Sequence, residues 1–128
     1  MAITSEIIGK LGGGDIETVA VNRLIKQGDS FHVLHTIAVD RPSLVAATLT
    51  HDNTDSFSMV NGRAALAFRS SDDVYYGASY GANAAKGKPL SVAAELSAGT
   101  WTIEATCNNG SGTSQYTAKT LTVATVEL

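Results

Sequence analysis

The stretch Leu90-Ser-Val-Ala-Ala-Glu-Leu-Ser-Ala-Gly-Thr-Trp-Thr-Ile-Glu-Ala-Thr-Cys107 decides the fold class. Leu90, Val92, Ala94 and Leu96 alternate with small or polar residues, the period of two that marks a strand with one buried face. Ser97 to Thr100 interrupts them with a glycine-containing turn. The alternation then resumes, with Trp101, Ile103, Ala105 and Cys107 on one side and Thr102, Glu104 and Thr106 on the other. Strands with one apolar face each need a second apolar layer to cover them.

The same signals recur on either side along the chain. Downstream, Gln115 to Val126 changes parity: Tyr116 and Ala118 lead on one face and Leu121 and Val123 on the other, which a β-bulge near Thr120 reconciles. Upstream, Phe57–Val60 and Ala64–Arg69 flank Asn61-Gly62, a strong short hairpin signal. Ser70 to Asp73 closes that unit and Val74–Tyr80 follows. Leu44–His51 reads as a strand, as does Phe31–Val39, which ends at Arg41-Pro42 because proline lacks the ladder donor. In Phe31–Val39 the alternation puts Phe31, Val33, Ile37 and Val39 on one face with His35. Asp15–Asn22 is rich in β-branched residues. A helix capped by Asp15 is the rival reading there, but Gly14 and Gly28 bound the segment closely and favour a strand. Eight or nine short strands with regular turns predict an all-β domain, a single antiparallel β-sandwich of Ig-like or jelly-roll type. Residues 15–128 form it, and residues 1–14 form a short N-terminal arm that ends at Gly12, Gly13 and Gly14. The expected core layer joins Trp101, Ile103, Leu96, Val92, Phe31, Val33 and Ile37.

Composition narrows the function. In 128 residues, Ala, Gly, Ser and Thr fill 56 positions while charged residues make up 16%, against a norm of roughly 25%. Net charge is −3, so nothing draws the chain to nucleic acid or to an anionic membrane. One cysteine excludes a disulfide framework. No apolar run is long enough to span a bilayer as a helix, and the first residues lack the pattern of a secretory signal.

On a regular strand His32 and His35 face opposite sides and cannot clamp one metal. His35 and His51 could approach across neighbouring strands, but no further ligand is spaced to join them. Asp52, Asn53 and Asp55 miss the calcium-loop spacing. Gly9-Lys-Leu-Gly-Gly-Gly14 lacks the Lys-Ser/Thr ending of a phosphate loop. Cys107 shares the face of Trp101, as a buried thiol would. Asp72 and Asp73 diverge and make a poor glycosidase pair. No nucleophile elbow is present. The expectation is no enzyme, no catalytic residue, no metal and no cofactor. Val74-Tyr-Tyr-Gly-Ala-Ser-Tyr80 is the most distinctive surface candidate, with Tyr76 and Tyr80 on one face and Tyr75 on the other. Exposed tyrosines beside glycines can stack on sugars or seat a protein partner.

The 90–107 stretch resembles the end of many immunoglobulin-like or jelly-roll domains. The head, Leu11-Gly-Gly-Gly-Asp-Ile-Glu-Thr-Val-Ala-Val21, resembles small structural proteins of tailed bacteriophages: a short arm, a glycine step, then a strand. The likeness departs at Leu24-Ile-Lys-Gln-Gly28, where a Pro-Ala-Gly-like turn would be expected. It implies a virion structural protein made in the bacterial cytoplasm, a capsid decoration (cement) or minor tail component. Its partners would be major capsid or tail proteins, and its unit a homo-oligomer such as a trimer. The expected partner-binding residues are Ile3, Ile7, Ile8, Leu11, Gly12, Gly13 and Gly14 of the arm, and Tyr75, Tyr76 and Tyr80. The alternative is a carbohydrate-binding or adhesin-type module, or a decoration protein whose outer face grips a host-surface glycan.

Overall fold

The structure, a computed structural model, describes residues 15–28, 31–52, 63–81, 87–108 and 114–128. These residues contain eight strands: β1 (Asp15–Lys26), β2 (His32–Val39), β3 (Ser43–His51), β4 (Arg63–Ser70), β5 (Tyr75–Gly81), β6 (Leu90–Leu96), β7 (Gly99–Asn108) and β8 (Gln115–Glu127). The expected arm and the Asn61-Gly62 turn lie outside the described residues.

Two four-stranded sheets form, ordered β1-β8-β3-β6 (sheet A) and β2-β7-β4-β5 (sheet B), with every ladder antiparallel. The order has a simple origin. Folded back at the β4–β5 turn, the chain pairs β4 with β5, β3 with β6, β2 with β7 and β1 with β8 as one long ribbon. Rolling the ribbon sends alternate pairs into opposite sheets, and the ladders β3–β8 and β4–β7 close each sheet. This is a jelly roll, so of the two topologies left open by the strand pattern the Ig-like one is excluded.

The core lies between the sheets. Sheet B contributes Leu66, Phe68, Trp101, Ile103 and Ala105; sheet A contributes Ile25, Val45, Leu49, Leu90, Leu96, Tyr116 and Leu121. Two polar tips inside it are satisfied. Trp101 Nε1 donates to Ser97 O at 2.9 Å, and Tyr116 OH donates from β8 across to Thr106 O of β7 at 2.7 Å.

The parity change in β8 is as expected. Leu49 pairs with Leu121 and His51 with Ala118, so Lys119 and Thr120 together oppose Thr50. The Thr50 hydroxyl fills the kink, accepting from Thr120 N at 3.1 Å and donating to Thr120 O at 3.4 Å. Facing it, β1 has its own irregularity between Ala20 and Arg23, where Asn22 takes a positive φ of 46°.

A third bulge corrects the reading of β2. Val33 pairs with Glu104 and His35 with Ile103, leaving Leu34 as the extra residue. The added residue flips the parity. Leu34, Ile37 and Val39 pack on the core, whereas Phe31 and Val33, expected inside, are 40% and 44% exposed. The same flip puts His32 opposite Ala105 and His35 opposite Ile103, so the two histidines share a face rather than diverging.

Trp101 is 1% exposed at the centre of the core. Trp101→Ala is expected to cost about 3–5 kcal/mol by lost contacts plus a cavity, measured by urea unfolding. Burial raises the Tyr116 phenol above its ordinary value of 10.0, with the neighbouring Cys107 adding to the rise. The folded state therefore holds a proton that the unfolded state releases. The corresponding stability is complete below about pH 10 and falls as the pH rises further. Tyr116→Phe should flatten that alkaline limb and lower stability by about 1 kcal/mol through the lost hydrogen bond, read from unfolding curves against pH.

Candidate functional site

The two outer faces differ in chemistry. On sheet A, strand register sets Ile16, Ala124, Ala46 and Ala93 in one row and Thr18, Thr122, Thr48 and Ser91 in the next. Leu44 and Val126 continue the surface. Glu95 is the one charged residue in these three rows. Ile16 and Leu44 are 44% and 47% exposed. Apart from Glu95, four strands thus present aliphatic and hydroxyl side chains in rows across this face.

Sheet B carries a cluster instead. Its base is Glu104 on β7, only 5% exposed although it points away from the core. A buried carboxylate needs donors. Arg69 Nε supplies one at 3.2 Å and the Thr102 hydroxyl another at 2.6 Å. Arg69 NH1 lies 3.7 Å from Asp73 Oδ1. Held this way, the guanidinium carbon sits 4.8 Å from the Phe31 ring centre and 5.1 Å from that of Tyr75. The two rings meet edge to face at 5.8 Å. Tyr75 leans along its own strand over Gly77, where a Cβ would come within 2.5 Å of the phenol oxygen.

The three tyrosines therefore part company. Tyr75 belongs to the outer cluster. Tyr76 stacks on Trp101 at 5.9 Å at the margin of the core. Tyr80 closes the side of the sandwich, its hydroxyl donating to Ser91 O at 2.7 Å. Phe31 and Arg69 were missed as site residues. Arg69 was legible only as the end of a strand, and Phe31 was placed inside because the extra residue in β2 is invisible in an alternating pattern.

The opposite side of the sandwich, between β1 and β2, is an open cleft of about 350 Å³. Carboxylates of Asp15, Glu17, Asp40 and Glu127 line it together with His35. His35 Nε2 and Glu17 Oε1 pair at 2.6 Å across the two sheets, and Arg23 NH1 donates to Val33 O at 2.8 Å. Among the described residues, no group of three or more His, Cys, Asp or Glu is arranged to hold a metal ion. His35 and His51, considered as a pair, lie on strands of different sheets; His51 Nε2 donates to Lys88 O at 2.6 Å. Cys107 is fully buried and burial raises its thiol. The arm residues Ile3, Ile7, Ile8, Leu11, Gly12, Gly13 and Gly14 lie outside the described residues.

No protein-family model and no curated protein matches the chain. Its fold does match solved structures. Xylanase10C from Cellvibrio japonicus, solved in complex with xylopentaose, aligns over 83% of this chain and 22% of its own, at TM-score 0.53 and 12% identity. A structure of infectious bursal disease virus, Gx strain, aligns over 89% of this chain and 32% of its own, at TM-score 0.50 and 10% identity. The chain thus spans between a fifth and a third of the length of these neighbours. At such identities the likeness establishes the β-sandwich fold.

Removing Arg69 strands a buried carboxylate. Arg69→Ala is expected to cost about 3 kcal/mol, the low end for a broken buried pair because the arginine itself is partly exposed. The double change with Glu104→Ala should recover part of that loss. Chemical denaturation of the four members of the cycle gives the coupling.

Proposed function

We propose that this chain is a non-enzymatic structural subunit of a virus particle, a capsid decoration protein or minor tail component of a tailed bacteriophage. The observation that carries the reading is the outer face of sheet A, where three side-chain rows across the sheet hold Glu95 as their one charge. Exposed aliphatic side chains gathered on one face, here Ile16, Leu44 and the alanines, suit a protein contact. Burying it contributes about 25 cal/mol per Å² before association costs. The jelly roll, shared at the level of fold with a virus structure, and the phage-like head sequence support the reading.

In this reading the face of sheet A seats on major capsid or tail proteins at symmetric sites, in a closed homo-oligomer such as a trimer. The arm, with Ile3, Ile7, Ile8, Leu11 and its three glycines, reaches a neighbouring subunit by adding a strand to an exposed edge. The finished protein resides in the virion.

Purified protein is mixed with particles lacking it, at low and high salt, and bound copies are counted. Saturable binding that changes little with salt is expected, since few charged pairs are there to be screened. Ile16→Lys with Ala93→Lys, both exposed, should leave melting unchanged and abolish attachment. Deleting residues 1–11 should weaken assembly without lowering the melting temperature. Absence of binding at either salt concentration overturns the proposal.

A further inference from the structure

We infer that the outer face of sheet B is a binding site for a neutral saccharide, built on Phe31, Arg69 and Tyr75. The inference stands independently of the virion reading. If both hold, sheet A seats the protein and sheet B faces outward.

Three observations carry it. First, Phe31 and Tyr75 are 40% and 43% exposed, although both rings have partners. Tyr75 lies along the strand because Gly77 offers no side chain beneath it, with the Arg69 guanidinium against the ring. Second, the polar group between the rings is held in place before any ligand arrives. Arg69 is fixed by the buried Glu104, itself tied to Thr102. Preorganisation of this sort lowers the entropy lost on binding. Third, the charges are matched. Arg69 is balanced by Glu104 at 3.2 Å and Asp73 at 3.7 Å, so the site has no surplus positive charge for a phosphate, sulfate or uronate.

The ligand chemistry follows by elimination. A wholly apolar partner would cover Arg69 and Asp73 without replacing the water they hold, which is costly. An anion meets two carboxylates. A pyranose ring offers a C–H face for the aromatic rings and a rim of hydroxyls that both donate and accept, matching guanidinium and carboxylate in one site. Tyr76 and Tyr80, engaged with Trp101 and Ser91, take no part.

The test titrates the full chain, by ¹⁵N chemical shifts and calorimetry, with cellohexaose, xylohexaose and isomaltohexaose. Oligogalacturonate and a heparin hexasaccharide serve as anionic counterparts. At least one neutral hexasaccharide should bind at micromolar to millimolar concentration, with shifts centred on Phe31, Arg69 and Tyr75. Phe31→Ala and Tyr75→Ala should each weaken it about tenfold, equivalent to about 1.4 kcal/mol. Gly77→Ala, which pushes the phenol off the strand, should weaken it while leaving the melting temperature in place. Ile16→Lys, on the opposite sheet, should change nothing. The inference is overturned if no neutral hexasaccharide binds at millimolar concentration. It is equally overturned if binding ignores Tyr75→Ala in a variant that melts like the parent, or if the anionic oligosaccharides bind more tightly.

Discussion

Strand β7 is closed to solvent on both faces over much of its length, and that constraint organises both halves of the molecule. Its inward residues Trp101, Ile103, Ala105 and Cys107 form the floor of the core, and outward Glu104 and Thr106 are buried too. The inward side is resolved by hydrophobic burial, which asks only for apolar bulk of suitable volume. The outward side is resolved by hydrogen bonding, which asks for donors at fixed distances. Arg69 and Thr102 meet that demand at Glu104. The guanidinium so placed then fixes Phe31 and Tyr75. A carboxylate on the far side of a core strand thus leads to the most distinctive surface feature of the protein.

The open sides of the sandwich follow a related logic. A jelly roll leaves β1, β2, β5 and β6 at sheet edges, where backbone groups invite pairing with other chains. Here side chains occupy part of those edges. Arg23 donates to Val33 O, Tyr80 donates to Ser91 O, and His35 pairs with Glu17 between β2 and β1. Each contact ties one sheet to the other.

The two faces divide the chemistry. The outer rows of sheet A offer aliphatic and hydroxyl side chains with Glu95 as their one charge, and sheet B offers rings around a matched ion pair. On the proposed reading the first face suits a seat on another protein and the second suits an amphipathic small ligand. Neither use requires a nucleophile or a titrating base. The buried Cys107 and Tyr116, both raised by desolvation, are groups placed for packing.

Much of the fold was legible in the chain itself because strand periodicity reports burial directly. Leu90 to Leu96, the inward row of Trp101 to Cys107 and the bulge at Lys119–Thr120 all follow from which residues water rejects, a property each side chain carries alone. The bulge at Leu34 left no such trace. His32, Val33 and His35 fit either register, and the choice was made by pairing with Glu104 and Ile103 some seventy residues away. That one register step moved Phe31 to the surface, turned His32 to the face of His35 and let the cluster around Arg69 assemble. Topology was likewise beyond the local pattern. Periodicity tells a strand from a turn, but β1 finds β8 rather than β2 only because rolling the whole ribbon covers every apolar face at once. What a residue prefers was set by the sequence; which residues meet was decided by long-range pairing, because a site made across four strands exists only after all four are in register.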